Sequence, residues 1–106
     1  MNDRELLEAA AKAAAMSGTA VEYDDRLVFL EDGKPSSVEW DPLTDDGDAL
    51  RLAVKLRINL EFGPSHVYAI TSNRKVFYSD EESDGLMANA TRYVIVRAAA
   101  STRETA

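Results

Sequence analysis

The sequence predicts an α+β fold in which an antiparallel sheet of four to six strands is packed by three helices, in the order α-β-β-α-β-β-β-α. Two observations predict this fold. Three segments repeat apolar residues at helical spacing. Between them lie short runs rich in β-branched and aromatic residues, separated by compact turns that are typical of hairpins. With 106 residues, the chain is expected to fold as a single domain, 1–106.

The first helix is predicted over residues 2–17. Asn2 and Glu5 have the spacing of a capping box, in which each side chain accepts a hydrogen bond from the backbone of the other residue. The stripe expected to be buried is alanine-rich and comprises Leu6, Leu7, Ala10, Ala13 and Ala14. Gly18 is expected to end the helix, because glycine readily adopts the left-handed conformation that follows many helices.

Two strands are then predicted over residues 19–23 and 26–30. Asp24 and Asp25 between them indicate a tight hairpin turn, although Asp-Asp is a weaker turn signal than Asp-Gly. Residues 31–37 are rich in turn formers and are expected to form a loop. A short third strand at residues 38–40 would bring Trp40, the only tryptophan, to the core.

The second helix is predicted within residues 40–58, the stretch around which the chain is organised. Pro42 disfavours a helical conformation at the residue before it, so Asp41 or Thr44 is the expected N-cap. One arc of the helix is apolar and is expected to be buried; it comprises Ala49, Leu50, Leu52, Ala53, Val54 and Leu56. The residues predicted to have structural roles are Trp40, Pro42, Thr44 and Leu50.

Three further strands are predicted over residues 58–62, 67–71 and 75–78, and compact turns join them into an antiparallel meander. The last helix follows. Its start is predicted at the capping box of residues 79–82, with Ser83 and Asp84 as a competing start one turn later. Residues 93–96 have strand propensity, but the alanines that follow them favour helix.

The formal charge of −7 is concentrated in one region. Between residues 22 and 48 there are ten acids and two bases, a local charge of −8, and the rest of the chain sums to +1. This distribution disfavours direct binding to nucleic acid, which needs clustered lysine and arginine, and suits a partner with a basic surface. The acids predicted to bind that partner are Glu22, Asp24, Asp25, Glu31, Asp32, Glu39 and Asp41. The alternative is an acidic solvated face that maintains solubility.

The acids at Asp45, Asp46 and Asp48 invite comparison with a calcium-binding loop. An EF-hand loop has a glutamate at its twelfth position, and counting from Asp41 places Leu52 there, so the pattern fails. Helix capping and the helix dipole explain these acids. The sequence also contains no cysteine and no glycine-rich phosphate loop. The chain is therefore predicted to carry no metal site, no cofactor and no catalytic residues.

His66 is the only histidine and is expected to face solvent in a loop, without a nucleophile in reach. Two alternatives to a binding protein stay open. One is a small metal-dependent enzyme or divalent-cation-binding domain that uses the acids of 45–48 together with His66. The other is a structural homodimer formed through an exposed strand edge or the alanine-rich face of a helix.

The most specific stretch of the sequence is 40–56, which reads WDPLTDDGDALRLAVKL. It resembles the W-N-P-L-x-D-D-G-D-A-x-x-L-A-x-x-L segment of a family of small uncharacterised tailed-phage and prophage proteins, which is distantly similar to the NinX-type phage proteins. Asp41 stands where many members carry asparagine, a change that keeps the capping chemistry. Residues 6–14 and 93–100 also resemble the ends of these proteins. The resemblance implies an α+β domain with an accessory role in a phage, and it implies no activity and no catalytic residue.

The charge and the resemblance together predict a non-enzymatic phage or prophage accessory protein that binds a host or phage protein. Inhibition of a host defence protein or of a nucleic-acid-binding protein is the expected role, because an acidic surface competes with nucleic acid for basic clefts. Acids near the start of the chain, and no apolar run of about 20 residues, predict neither export nor membrane insertion. The expected setting is the cytoplasm of a bacterial host, with the protein as a monomer or homodimer.

Overall fold

The computed structural model describes residues 2–35 and 37–102, apart from the side chains of Ser83 and Asp84, and it confirms the α+β class and the order of elements. The elements are α1 (Asp3–Ala13), β1 (Gly18–Tyr23), β2 (Arg26–Glu31), α2 (Asp46–Leu56), β3 (Asn59–Phe62), β4 (His66–Ile70), β5 (Val76–Asp80), α3 (Glu81–Asp84) and α4 (Met87–Thr102). The final helical segment is thus divided into the single turn α3 and the long helix α4.

The five strands belong to two antiparallel sheets. The hairpin β1–β2 forms one of them, and the meander β3–β4–β5 forms the other. The predicted strand at residues 38–40 contributes a single bridge, in which Trp40 and Phe29 exchange backbone hydrogen bonds of 2.9 and 3.0 Å. Trp40 thus occupies the free side of β2. The chain then leaves the hairpin, forms α2 and begins a separate sheet.

Helix α1 begins as predicted and ends earlier than predicted. The amide of Glu5 donates to Asn2 Oδ1 at 2.8 Å and the amide of Asn2 donates to Glu5 Oε1 at 3.2 Å, which confirms the capping box. The prediction that Gly18 ends this helix is wrong. Ala15, with φ of 62°, takes the left-handed position after the helix, and Gly18 opens strand β1.

The hairpin turn at Asp24 and Asp25 is confirmed. Both residues have positive φ, 50° and 60°, which is the conformation of a type I′ turn. Tyr23 therefore pairs with Arg26 directly across the turn. Aspartate suits these two positions because Asp and Asn tolerate left-handed backbone better than other side chains. This turn matches the right-handed twist of the two strands and sets their register.

The N-cap of α2 is Asp45, and the prediction of Asp41 or Thr44 in that role is wrong. The Asp45 carboxylate accepts from the amide of Asp48 at 2.8 Å. The residues from Asp41 to Thr44 form a turn that precedes the helix, in which the carbonyl of Asp41 accepts from the amide of Asp45 at 2.8 Å. Thr44 donates its hydroxyl to the buried Asp41 carboxylate, so its role is structural although it caps no helix.

Leu50 is not a core residue, and the prediction that it is buried is wrong. Leu50 is 59% exposed and Val54 is 69% exposed. The buried face of α2 is narrower than its apolar arc and consists of Ala49, Leu52 and Ala53. Helix α2 lies against α4 through this small-residue face. Since one neighbouring helix covers only part of the circumference, the flank of the apolar arc stays in solvent.

Helix α4 is the centre of the domain. It contacts α1, α2, β4 and β5, and its residues from Val94 to Val96 and from Ala98 to Ala100 are buried. A second, smaller core cluster lies between α1 and the hairpin and consists of Leu7, Ala11, Ala20 and Phe29. Trp40 packs against both clusters and Pro42 is fully buried, so both side chains belong to the packed interior.

The prediction that a capping box at residues 79–82 opens the last helix is wrong. Ser79 lies in β5, is 2% exposed and pairs with Val67, so it does not open a capping box. Gly85, with φ of 84°, separates α3 from α4. The competing start rested on the side chains of Ser83 and Asp84, which lie outside the described residues. No helix in the described ranges combines the length and apolar character needed to cross a membrane.

Candidate interaction surface on the acidic hairpin

The β1–β2 hairpin has two different faces. Ala20 and Phe29 point toward α1 and belong to the core cluster there. Because side chains alternate along a strand, Val21 and Val28 point the other way. On that side the hairpin forms an open groove of about 500 Å³, lined by Val21, Glu22, Tyr23, Val28, Leu30, Ser37 and Glu39.

The floor of the groove is apolar. Val28 is only 1% exposed, and Val21, its partner across the hairpin, is half-buried. Leu30 continues this floor toward the far end of β2. Tyr23 lines the end next to the turn and is 58% exposed. The groove therefore combines a buried aliphatic floor with an exposed aromatic ring, which is the composition of many protein-binding anchor sites.

Three predicted acids lie at the turn end of this groove. Glu22 lines it, although strand alternation places its side chain on the same face as Ala20 and Phe29. Asp24 and Asp25 form the adjacent turn. All three are exposed, and within the part of the chain that the structure describes none of them belongs to an ion pair. We call Val21, Glu22, Tyr23, Asp24, Asp25, Val28 and Leu30 the hairpin surface.

Glu39 also lines the groove, but its charge is matched inside the molecule. Its two carboxylate oxygens accept from Arg26 Nη1 at 3.0 Å and Arg26 Nη2 at 3.2 Å, which makes a fork-shaped pair. The hydrogen bond and charge of Glu39 raise the pKa of Arg26 above its ordinary value. This pair holds the segment before Trp40 against the hairpin, so we assign Glu39 a structural role in shaping the groove.

The other predicted acids are placed elsewhere. Glu31 Oε1 lies 3.9 Å from Lys34 Nζ. Asp32 follows β2 at the end away from the turn, and its amide donates to the Ser17 carbonyl at 2.8 Å. Asp41 is 5% exposed. The seven predicted acids therefore do not form one surface. Glu22, Asp24 and Asp25 are the ones that the fold brings together beside the groove.

The acids of the 45–48 segment have intramolecular partners. Asp45 caps α2, Asp46 pairs with Arg92, and Asp48 accepts both from the amide of Asp41 at 2.9 Å and from Arg51 at 2.7 Å. Among the described residues, no three His, Asp or Glu side chains are arranged to hold a metal ion. The cap at Asp45 agrees with the capping interpretation, and the pair of Asp46 with Arg92, which was not predicted, joins the start of α2 to α4.

His66 is not in a loop, and that expectation is wrong. It is the first residue of β4 and is half-buried. Its ring lies over Gly63, so closely that a Cβ at residue 63 would stand 2.1 Å from it. It also contacts the rings of Tyr68 and Tyr78. The missed signal is the period-two spacing of His66 and Tyr68, which places both side chains on one face of the sheet.

The aliphatic floor of the groove was also missed. The alternation in β1 and β2 identifies two faces, but only the tertiary position of residues 37–39 shows that the outer face is recessed. Comparison of the chain with family models, curated proteins and solved structures finds no match. The fold and the surface define an α+β protein with an acidic, grooved hairpin, and the resemblance to phage proteins stays a prediction.

Proposed function

We propose that this protein is a non-enzymatic binding protein that docks a basic protein surface on its hairpin surface. One observation carries the proposal: three acids without an ion-pair partner among the described residues stand beside an apolar groove. The turn conformation accounts for the residue type at Asp24 and Asp25, and their position beside a recessed aliphatic floor supports a binding role. A partner would place an apolar side chain in the groove and lysine or arginine residues around Asp24 and Asp25.

The two parts of the surface have different physical tasks. The unpaired acids raise the rate of encounter with a basic partner and decide its orientation. The groove and the exposed Tyr23 slow dissociation, because apolar contact around a buried anchor supplies most of the binding free energy in many interfaces. Added salt is therefore expected to slow association with the partner more than it speeds dissociation.

The biological setting we propose is a phage or prophage, with the protein acting in the cytoplasm of the bacterial host. The support is the resemblance of the 40–56 segment and the local charge of −8 between residues 22 and 48. Nucleic-acid-binding proteins present clustered lysine and arginine to phosphates. An acidic hairpin that occupies such a cluster would exclude nucleic acid from it, so the proposed role is inhibition of a host defence or nucleic-acid-binding protein.

The test compares two variants of equal net charge. The first neutralises the hairpin surface with Glu22→Gln, Asp24→Asn and Asp25→Asn, and asparagine keeps the left-handed turn. The matched control neutralises three exposed acids elsewhere, with Asp3→Asn, Glu81→Gln and Glu82→Gln. Each protein serves as bait in a nuclease-treated bacterial lysate at moderate salt, and the retained proteins are identified and their affinities measured.

The expected result is a basic protein retained by the wild type and by the control. Neutralising the hairpin should weaken its affinity about tenfold, from roughly 0.5 kcal/mol for each lost exposed ion pair. Duplex DNA added to the retained partner, once the nuclease has been washed away, should compete with the bait. Equal retention by the hairpin variant would contradict the proposal, as would failure of the folded wild type to retain any basic protein.

A further inference from the structure

The meander β3–β4–β5 also has two different faces. Its inner face packs on α4 and carries Val67, Ala69 and Ser79, which are all buried. By alternation the outer face carries Asn59, Glu61, His66, Tyr68, Ile70, Val76, Tyr78 and Asp80. Tyr68 is 37% exposed, Tyr78 is 46% exposed and Val76 is 58% exposed. This outer face is thus a solvent-facing surface with aromatic side chains at its centre, and we call it the aromatic face.

Three rings of the aromatic face contact each other. The centroids of Tyr68 and Tyr78, which pair directly across the strands, are 5.3 Å apart. The His66 ring stacks on Tyr78 at 5.9 Å with an interplanar angle of 27° and meets Tyr68 edge to face at 5.4 Å. The Tyr78 hydroxyl donates to Asp80 Oδ2 at 2.9 Å. These contacts fix the rings, and Tyr68 and Tyr78 remain partly exposed to solvent.

The charge around these rings is negative. Glu61 is exposed and pairs with Tyr68, and Asp80 pairs with His66, so an acid lies on each side of the ring cluster. None of the eight residues on this face is lysine or arginine. Arg97 is engaged within the molecule: its Nη1 donates to the backbone carbonyl of Tyr78 at 3.1 Å, and its guanidinium lies 5.6 Å from the centroid of Phe77, whose ring belongs to the inner face. Partly exposed aromatic rings flanked by carboxylates attract cations.

We infer that the aromatic face is a second recognition site, and that it binds an arginine side chain of a protein partner. The planar guanidinium would stack on the exposed faces of Tyr68 and Tyr78 and donate hydrogen bonds to Glu61. Arginine fits better than lysine because its planar, weakly hydrated head stacks on rings and presents parallel donors to a carboxylate. The site shares no residue with the hairpin surface and belongs to the other sheet, so it stands independently of the proposed function.

Stacking of nucleic-acid bases is the competing use of exposed tyrosines on a sheet. Such sites combine aromatic rings with a basic groove that follows the phosphates. Here Glu61 and Asp80 flank the rings, and Glu81 and Glu82 follow directly in α3. This arrangement repels phosphates, so the observations favour the cation.

The test is a titration of the full chain followed by two-dimensional NMR. The probe is N-acetyl-arginine-amide, and the comparison probes are the corresponding lysine and glutamine compounds. Saturable shifts are expected at Tyr68, Tyr78 and Glu61 with the arginine probe, with weaker binding of the lysine probe and none of the glutamine probe. Shifts confined to the hairpin surface, equal binding of the lysine probe, or no saturable shift would each overturn the inference.

Variants separate recognition from folding. Tyr68→Leu and Glu61→Gln should each weaken binding of the arginine probe about two- to fivefold. Tyr68→Phe, which keeps the π face, should bind as the wild type does. Phe62→Leu, at an exposed ring on the other face of β3, is the control for loss of an exposed aromatic side chain. If Tyr68→Leu loses its folded spectrum, the comparison of Glu61→Gln with the wild type decides. Unchanged affinity in Glu61→Gln would overturn the proposed guanidinium–carboxylate contact.

Discussion

Phe29 and Trp40 are joined twice, by a pair of backbone hydrogen bonds of 2.9 and 3.0 Å and by an edge-to-face contact of their rings at 5.8 Å and 78°. Phe29 belongs to the core cluster between α1 and the hairpin, and Trp40 packs against that cluster and against the main one. This pair therefore connects the hairpin to the segment that leads into α2.

Replacing Trp40 should show how much the connection stabilises the fold. Trp40→Ala keeps the backbone bridge and removes the ring, and a loss of about 3 kcal/mol in the free energy of unfolding is expected for a large aromatic side chain. Urea unfolding followed by circular dichroism measures this loss without relying on tryptophan fluorescence. Trp40→Phe, which retains an aromatic contact with Phe29, should cost less than half as much. A cost below about 1 kcal/mol for Trp40→Ala would disprove the linking role.

Asp41→Asn is expected to stabilise the protein by about 1 kcal/mol. Asp41 is buried, and its Oδ1 has no hydrogen-bond partner among the described residues. Its amide also donates to Asp48, which places a second carboxylate nearby. Asparagine removes the charge and keeps an oxygen for the Thr44 hydroxyl. Thermal and urea unfolding at neutral pH measure the change, and a clear destabilisation would show that the charge itself is needed.

Thr44→Val tests the other side of this contact. The Thr44 hydroxyl donates to Asp41 Oδ2. Removing this donor leaves the buried Asp41 carboxylate with one hydrogen bond fewer, so the free energy of unfolding is expected to fall by about 1–3 kcal/mol. The same unfolding measurements apply. In the double variant with Asp41→Asn, the cost of Thr44→Val should be smaller, because an amide oxygen is less costly to leave unpaired than a carboxylate.

Leu50 and Leu52 form a matched pair in one helix. Leu52 is 2% exposed and Leu50 is 59% exposed. Leu52→Ala should cost about 2–4 kcal/mol through lost burial and a cavity, whereas Leu50→Ala should change stability by no more than about 0.5 kcal/mol. Leucine and alanine both favour helix, and the substitution is the same at the two positions, so the difference in cost reflects burial and not helix propensity. Similar costs at the two positions would mean that Leu50 is covered in solution.

Tyr78 should titrate at higher pH than an ordinary tyrosine. Its hydrogen bond to Asp80, followed by partial burial and the Asp80 charge, raises its pKa. Because the folded-state pKa lies above that of an unfolded tyrosine, about 10, the resulting stabilisation is complete below that pH and is lost as the pH rises through the folded-state value. Ultraviolet absorbance of tyrosinate follows the titration. Tyr78→Phe should remove this high-pH titration, and Asp80→Asn should move it to lower pH.

The sequence was most informative where local chemistry decides structure. The capping box at Asn2 and the turn at Asp24 and Asp25 depend on a few neighbouring residues, and both are confirmed. The cap of α2 was missed because several acids and a threonine there are all suitable caps. Only the turn that buries Asp41 decides among them in favour of Asp45.

Burial and surface shape depended on contacts between distant segments. Periodicity showed which arc of α2 is apolar, but it did not show how much of that arc α4 covers, and Leu50 was misplaced for this reason. Likewise, the charge count located the acidic region. It did not show that Arg26 neutralises Glu39 while Glu22 stays unpaired beside a groove, since both facts depend on where residues 37–39 lie.

The central position of α4 has a consequence for how this chain tolerates sequence change. Its buried face is built largely of alanines, such as Ala90, Ala98 and Ala99, which α1, α2 and the meander surround. A larger residue there would have to be accommodated by more than one neighbour at once, and added volume in a close-packed interior is costly. Among the exposed hairpin acids, Glu22 faces no such restriction, and the left-handed turn limits Asp24 and Asp25 to residues such as asparagine and glycine. The charge of the hairpin can therefore be changed, within the residues that the turn allows, at nearly constant stability.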